Sequence, residues 1–267
     1  ELPVDENGLV SGDDVRAGLR DDTILVAVMW ANNETGVIHP MDEIVQAVAD
    51  HQAFLFSDAT QAAGKVPVSM DGVDLLACSA HKFYGPKGAG ALLIRTQSPP
   101  IRLPKLLHGG AQESGRRSGT LNVPGIVGMG AAAQIASERL EKDAAAMRSR
   151  RDRFEQGLLE IFPEAFVNGA GAERLPQTSN VSFPGVKAGD MISEIGRLAV
   201  STGSACASGS GAPSHVLSAM GLTKEQAQGT VRFSMGRHTT DDEVDSALEL
   251  LGAYARRHGL VSAPSTL

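Results

Sequence analysis

Residues 73–95 read VDLLACSAHKFYGPKGAGALLIR: an apolar run, a polar knot at Ser79-Ala80-His81-Lys82, a loop with three glycines and one proline, and a second apolar run. Short apolar runs bounded by Gly and Pro predict strands, here over residues 73–79 and 90–95. Upstream, residues 23–30 (TILVAVMW) are almost continuously apolar, which predicts a strand covered on both faces, as in a parallel sheet. Residues 41–50 (MDEIVQAVAD) space Ile44, Val45 and Val48 for one face of a helix, and residues 53–57 give another strand that ends at Asp58. Strand and helix signals that alternate in this way predict an α/β fold with a mainly parallel sheet. Ligands of such sheets bind beyond the carboxyl ends of the strands. Asn32-Asn33-Glu34, residues 58–61 and residues 79–82 all fall at such ends, so three loops from one sheet edge are expected to build one site.

Downstream, residues 124–162 turn helical, with a Gly/Ala-rich start followed by the charged stretch SERLEKDAAAMRSRRDRFEQGLLEIF. The run of charge over residues 148–153 reads as a solvated helix face. Strand (180–183), helix (190–198), strand (231–234) and helix (240–258) signals then predict a small α+β domain, with Thr240 capping the last helix and Asp241, Asp242 and Glu243 complementing its dipole. The expected division is residues 1–138 for the larger domain and 139–267 for the smaller one.

The chain has 267 residues, 42% hydrophobic and 21% charged, enough to bury a substantial core. Its formal charge of −7 is spread along the chain, which argues against a nucleic-acid or anionic-membrane footprint. The longest apolar stretches are too short or too rich in Gly and Ala for a membrane span. Only two cysteines occur, Cys78 and Cys206, without a CxxC, so neither a disulfide framework nor a metal site is indicated, and a reducing, cytoplasmic compartment is expected. The opening segment begins at Glu1 and reads as the middle of a domain, with further sequence expected before it.

Four positions carry candidate chemistry. Lys82 follows a strand and precedes a glycine-rich loop, as a Schiff-base lysine held rigidly against a cofactor would. An ordinary solvated lysine, or a cradle for some other phosphate, fits the spacing as well. Asp58 at a strand end can pair with a protonated pyridine nitrogen, although a strand-end Asp usually serves a turn. Cys206 lies among Gly, Ser and Ala with nothing to pack against, which suits a travelling nucleophile or an incidental thiol. Cys78, inside a strand pattern, reads as core. Arg232 in a strand suits a carboxylate clamp or a structural ion pair.

Six segments taken together resemble the cysteine desulfurases of the iron-sulfur-cluster and nitrogen-fixation type: ANNETGVIHP (31–40), SDATQAAGK (57–65), SAHKFYGPKGAGAL (79–92), GGAQESGRRSGTLNVPGIVG (109–128), STGSACASG (201–209) and VRFSMGRHTTDDEVD (231–245). The resemblance covers nearly the whole chain. It implies a fold-type I pyridoxal-phosphate enzyme: a large domain with a mixed, mainly parallel sheet, incomplete here, a small C-terminal α+β domain, and a homodimer. By position, it assigns Lys82 to the Schiff base, Asp58 to the pyridine nitrogen, Gln61 to the ring hydroxyl, and Ser79 and His81 to the phosphate. Thr120 corresponds to a residue that reaches the neighbouring subunit's phosphate. Asn33 and Arg232 correspond to the holders of the substrate carboxylate, and Cys206 to the persulfide-forming cysteine. The implied reaction takes sulfur from L-cysteine, leaves L-alanine, and passes the sulfur to an acceptor protein such as an iron-sulfur scaffold. The length of the loop after Cys206 resembles the class that hands sulfur directly to such scaffolds. The family's ring-stacking histidine and its Gly/Thr phosphate loop have no counterpart in this sequence.

Two other classes stay open. One is a different enzyme on the same fold, such as an aminotransferase or a selenocysteine lyase. The other is an interaction module of sulfur assembly that is not itself an enzyme. STGSACASG favours sulfur transfer, because a transaminase has no use for a nucleophilic cysteine there.

Overall fold

The computed structural model describes residues 1–202 and 214–260. Helix α1 (Gly12–Gly18) leads into β1 (Leu25–Met29), α2 (Met41–Val48), β2 (Phe54–Asp58), β3 (Leu75–Ser79) and β4 (Gly90–Ile94). These strands form a sheet in the order β1-β2-β3-β4, parallel between β1, β2 and β3 and antiparallel between β3 and β4. The register Met29↔Asp58 and Asp58↔Ala77 brings the carboxyl ends of the three parallel strands to one edge. On one face α1 and α2 cover the sheet, where Ile44, Leu55, Val15 and Val73 are almost fully buried.

The sheet's other face corrects one expectation. β1 alternates rather than being covered on both sides: Val26 and Val28 are buried, while Leu25 and Met29 are 47% and 39% exposed. Leu92 and Leu93 of β4 are exposed too. An all-apolar strand reports the demand for cover on both faces, and this chain supplies it on one.

Helix α3 (Val123–Ile161) is 39 residues long and runs without a break past position 138. Pro124 lies in its first turn, and the Asn122 side chain accepts the Gly125 N–H at 3.2 Å, a capped start. Its small-residue first half brings Ala132 and Ala136 against Ala80 and Phe83. Its second half packs Phe154 and Leu158 into a separate core with β5 (Phe166–Val167), β6 (Thr178–Ser182), α4 (Ala188–Ile195), β7 (Thr230–Ser234) and α7 (Asp241–Arg257). β5, β6 and β7 form a three-stranded antiparallel sheet. The short helices α5 (His215–Ala219) and α6 (Lys224–Gln228) bury Leu217 and Ala227 beside it. Thr240 caps α7 in a reciprocal box with Glu243, as its sequence predicts.

The charge run of α3 is more than a solvated face. Arg151 is buried and donates Nη1 to the Leu175 carbonyl at 2.9 Å, while Arg150 and Arg153 pair with Asp241 and Asp245 of α7. The cause is the tertiary fold: a second helix and a loop carbonyl lie where an isolated helix would meet water. Among the described residues no helix is long and apolar enough to cross a membrane.

His39, just after the first strand-end loop, is buried, and its Nδ1 accepts the Val10 N–H at 3.3 Å. Burial pushes its pKa below the ordinary 6.5, against a smaller upward pull from Asp5. The native state therefore holds this imidazole neutral, and below about pH 6.5 the unfolded chain binds the extra proton. The stability from His39 is whole above that pH and falls as pH drops toward the depressed native value. Urea titrations at about pH 7.5 and 5.5 should show a larger loss of stability for the unmodified chain than for His39→Asn. Equal losses would contradict this.

Candidate active site

Three loops leave the carboxyl ends of β1, β2 and β3. After β1 the chain turns at residues 32–37, where the buried Asn32 side chain accepts the N–H groups of Glu34 (2.8 Å) and Thr35 (3.0 Å). Gly36 completes the turn at φ +80°, and a Cβ there would lie 2.8 Å from Thr178, so glycine is needed for both conformation and space. After β2, the exposed Asp58 turns Oδ1 back to the Thr60 N–H at 2.8 Å, and Gln61 is half-buried in the turn that follows.

After β3 comes a 3₁₀ turn, Ala80–Phe83. Ala80 and Phe83 are buried against α3, which leaves His81 and Lys82 facing outward from a fixed base. Ser79, the last residue of β3, stands opposite Gly90, where a Cβ would lie 2.8 Å from the Cys78 carbonyl. The glycine therefore lets the returning strand close on the turn. Among the described residues neither His81 nor Lys82 makes an ion pair.

The smaller sheet reaches the same edge. Arg232 of β7 donates Nη1 to the Asn33 carbonyl at 2.6 Å, and its Nε is buried with no hydrogen-bond partner among the described residues. Asn180, its register partner on β6, donates Nδ2 to the Glu34 carbonyl at 3.2 Å and accepts from Asn168 at 2.6 Å. The Leu175 N–H takes the Gly36 carbonyl at 2.7 Å. Thus Asn33 and Arg232 are brought together. Thr120 stands apart, exposed on the segment before α3, and no hydrogen bond of a described residue ties it to the strand-end loops. Cys206 lies outside the described residues. Cys78 is a free, half-buried thiol packed beside Ala80 and Phe83, with its pKa pushed up by burial and, less, by Asp58.

The sequence profile of the aminotransferase class-V family matches residues 1–247. The chain belongs to this family. Curated relatives include the cysteine desulfurase IscS of Neisseria meningitidis serogroup A, 48% identical over 252 residues, or 94% of this chain and 62% of that protein. Another is the cysteine desulfurase IscS of Anaeromyxobacter dehalogenans, 46% identical over 260 residues, or 96% of this chain and 64% of the relative. The chain thus spans less than two thirds of the length of these relatives. Among solved structures, a NifS-like protein superposes with a TM-score of 0.85 at 37% identity, covering 96% of this chain and 67% of the other. SspA in complex with cysteine gives 0.74 at 32% identity, covering 89% and 66%. The fold is accordingly that of the fold-type I enzymes, and class-V membership implies pyridoxal phosphate as cofactor.

The residues present fit that group. A carboxylate, a hydroxyl and an outward-facing lysine sit at adjoining strand ends, and the buried Arg232 Nε, which has no partner among the described residues, offers a donor for an anion. Sequence reasoning assigned no role to Glu34, whose side chain is fully buried and accepts the Ser214 hydroxyl at 2.7 Å. It also passed over Lys65, Tyr84 and Arg237. All four stand inside the quoted motifs, and for Lys65 and Arg237 a charged residue next to glycine was the available signal. The Asn180 side chain has two polar partners to lose. Asn180→Ala should lower stability by about 1–3 kcal/mol in a urea titration, because Glu34 O and Asn168 Nδ2 stay buried; an unchanged midpoint would contradict the role given to it.

Proposed function

We propose that this chain carries the larger part of a cysteine desulfurase, which removes sulfur from L-cysteine to give L-alanine and a persulfide on Cys206. The observation that carries the proposal is the meeting of Arg232 with Asn33 at the strand ends that bear Asp58 and Lys82. It provides an amino-acid carboxylate site beside a lysine fixed for cofactor chemistry. The naming of the similar IscS proteins, and of SspA in complex with cysteine, supports sulfur chemistry over transamination. So does the segment STGSACASG, which puts a thiol among residues too small to bury it.

In this reading Lys82 holds pyridoxal phosphate, Asp58 keeps a proton on its pyridine nitrogen, and Gln61 hydrogen-bonds its ring hydroxyl. Ser79 and His81 hold its phosphate, and Thr120 reaches the phosphate of a second subunit. When bound, the cofactor supplies a sink for the electron pair released at the substrate Cα. Arg232 and Asn33 orient the substrate by its carboxylate, and the unpartnered Nε of Arg232 gains an acceptor. The Lys82 amine takes the Cα proton. The Cys206 thiolate then attacks the substrate sulfur, so that an S–S bond forms as the C–S bond breaks. The electron pair of the broken bond goes to the three-carbon fragment, which gains a proton at Cβ, regains one at Cα from the Lys82 ammonium, and leaves as alanine. Cysteine plus one enzyme thiol thus becomes alanine plus one enzyme persulfide, and atoms balance. The sulfur passes to an acceptor protein such as an iron-sulfur scaffold. We place the work in a homodimer in the cytoplasm, with the larger domain ending at residue 138 along α3 and the smaller one, from 139, presenting Cys206.

A visible-absorbance titration with pyridoxal phosphate should develop a band that Lys82→Ala abolishes. Added cysteine should then release alanine and raise the mass of the chain by one sulfur, but not that of Cys206→Ser. A folded chain with no Lys82-dependent band would overturn the cofactor assignment. A sulfur adduct that survives Cys206→Ser would overturn the cysteine's role.

A further inference from the structure

Tyr84 ends the turn that carries His81 and Lys82, and it does so at φ +70°, a left-handed conformation rare for a bulky side chain. Its own N–H returns to the Ala80 carbonyl to close that turn. The phenol is gripped on several sides. Lys65 Nζ sits 4.2 Å from the ring centroid and the Arg237 guanidinium carbon 4.1 Å, both within cation–π reach. The hydroxyl accepts the Arg237 backbone N–H at 2.7 Å, and His238 meets the ring edge at 6.1 Å between centroids. Gly236 makes room, since a Cβ there would lie 3.2 Å from the phenol oxygen. Arg237 is fixed in turn by an ion pair to the buried Asp143 of α3 at 3.1 Å, and Asp143 also accepts two hydrogen bonds from Arg139.

Among the described residues no hydrogen bond or ion pair of a side chain joins this cluster to the strand-end residues assigned to cofactor or substrate, so those roles do not explain it. It joins three elements. Lys65 comes from the loop after β2 that bears Asp58 and Gln61, Tyr84 from the Lys82 turn, and Arg237 from the end of β7, five residues beyond Arg232.

We propose that Tyr84 is a positioning residue: clamped between Lys65 and Arg237, it fixes the direction of the Lys82 amine and sets it relative to the strand that carries Arg232. The proposal rests on the reading of Lys82 as the cofactor lysine. Lys65 gives the clamp a dependence on pH. Burial first, and repulsion from Arg237 second, push its pKa down to about 8 against a pull from Asp143. Arg139 and His238 are the other titratable or charged groups of the cluster. Above that pH one of the two cations on the ring is lost.

The test compares the full chain loaded with pyridoxal phosphate with Tyr84→Phe and Tyr84→Ala. Phenylalanine keeps the ring and both cations and loses only the hydroxyl acceptor, whereas alanine loses all of them. Tyr84→Ala should move the pH midpoint of the Lys82-dependent absorbance band by about one unit. It should also lower kcat for alanine formation about 10- to 100-fold with little change in KM for cysteine, since Asn33 and Arg232 are untouched. Tyr84→Phe should restore most of both. An unchanged band midpoint and kcat in Tyr84→Ala would overturn the proposal, as would an equal rise in KM. If Tyr84→Ala does not fold, Tyr84→Leu, which fills the site but gives neither cation an aromatic face, decides: a displaced midpoint supports the positioning role, an identical one overturns it. If the unmodified chain shows no Lys82-dependent band, the reading of Lys82 itself fails, and that outcome is distinct from a normal band in the variants.

Discussion

Three carbonyls of one turn hold this structure together. Asn33, Glu34 and Gly36 follow β1, and their oxygens are taken by the Arg232 guanidinium, the Asn180 amide and the Leu175 N–H. All three donors belong to the part of the chain built on the smaller sheet. A buried turn carries backbone groups that water cannot reach, so each carbonyl needs a protein partner, and these partners lie some 140 to 200 residues away in sequence. The arrangement satisfies the turn and brings β7 to the edge of the larger sheet. Without it Arg232 would have no reason to face Asn33. The same logic explains why β6 is buried at every position although four of its five residues, Thr178, Ser179, Asn180 and Ser182, are polar. Asn168, Asn180, Ser182 and Thr230 form a connected hydrogen-bond chain across it.

The two lysines near the site divide their environments instructively. Lys65 is the buried one, with its pKa pushed down to about 8, and by electrostatics alone it resembles a reactive amine. Geometry points the other way. Lys65 is buried against the Tyr84 ring, near the Arg237 charge. Lys82 is exposed on a turn whose base, Ala80 and Phe83, is pinned under α3. A lysine that must bond a cofactor needs a fixed stem and an open head, and the turn provides both.

Much of this was legible in the sequence, for identifiable reasons. β1 to β4 and α2 announce themselves because local apolar periodicity and Gly/Pro punctuation coincide with their ends, and the site loops follow from the sheet rule. Thr240 could be read as a cap because its partner Glu243 is three residues away. What could not be read is long-range. Arg151 looked solvated because nothing local shows that residue 175 will place a carbonyl over it. The exposed face of β1 was hidden for the same reason: an apolar strand states what it needs, not what this chain provides. Tyr84's grip on Arg237 spans 153 residues and left only the motifs' glycines and charges as a trace.

The central claim is that Lys82, among the lysines at this edge, bonds the cofactor. Borohydride reduction of the chain loaded with pyridoxal phosphate, followed by peptide mapping, tests it most directly, because reduction fixes the adduct on whichever amine holds it. The account predicts one pyridoxyl adduct, on Lys82. An adduct on Lys65 or Lys87 in its place would contradict it.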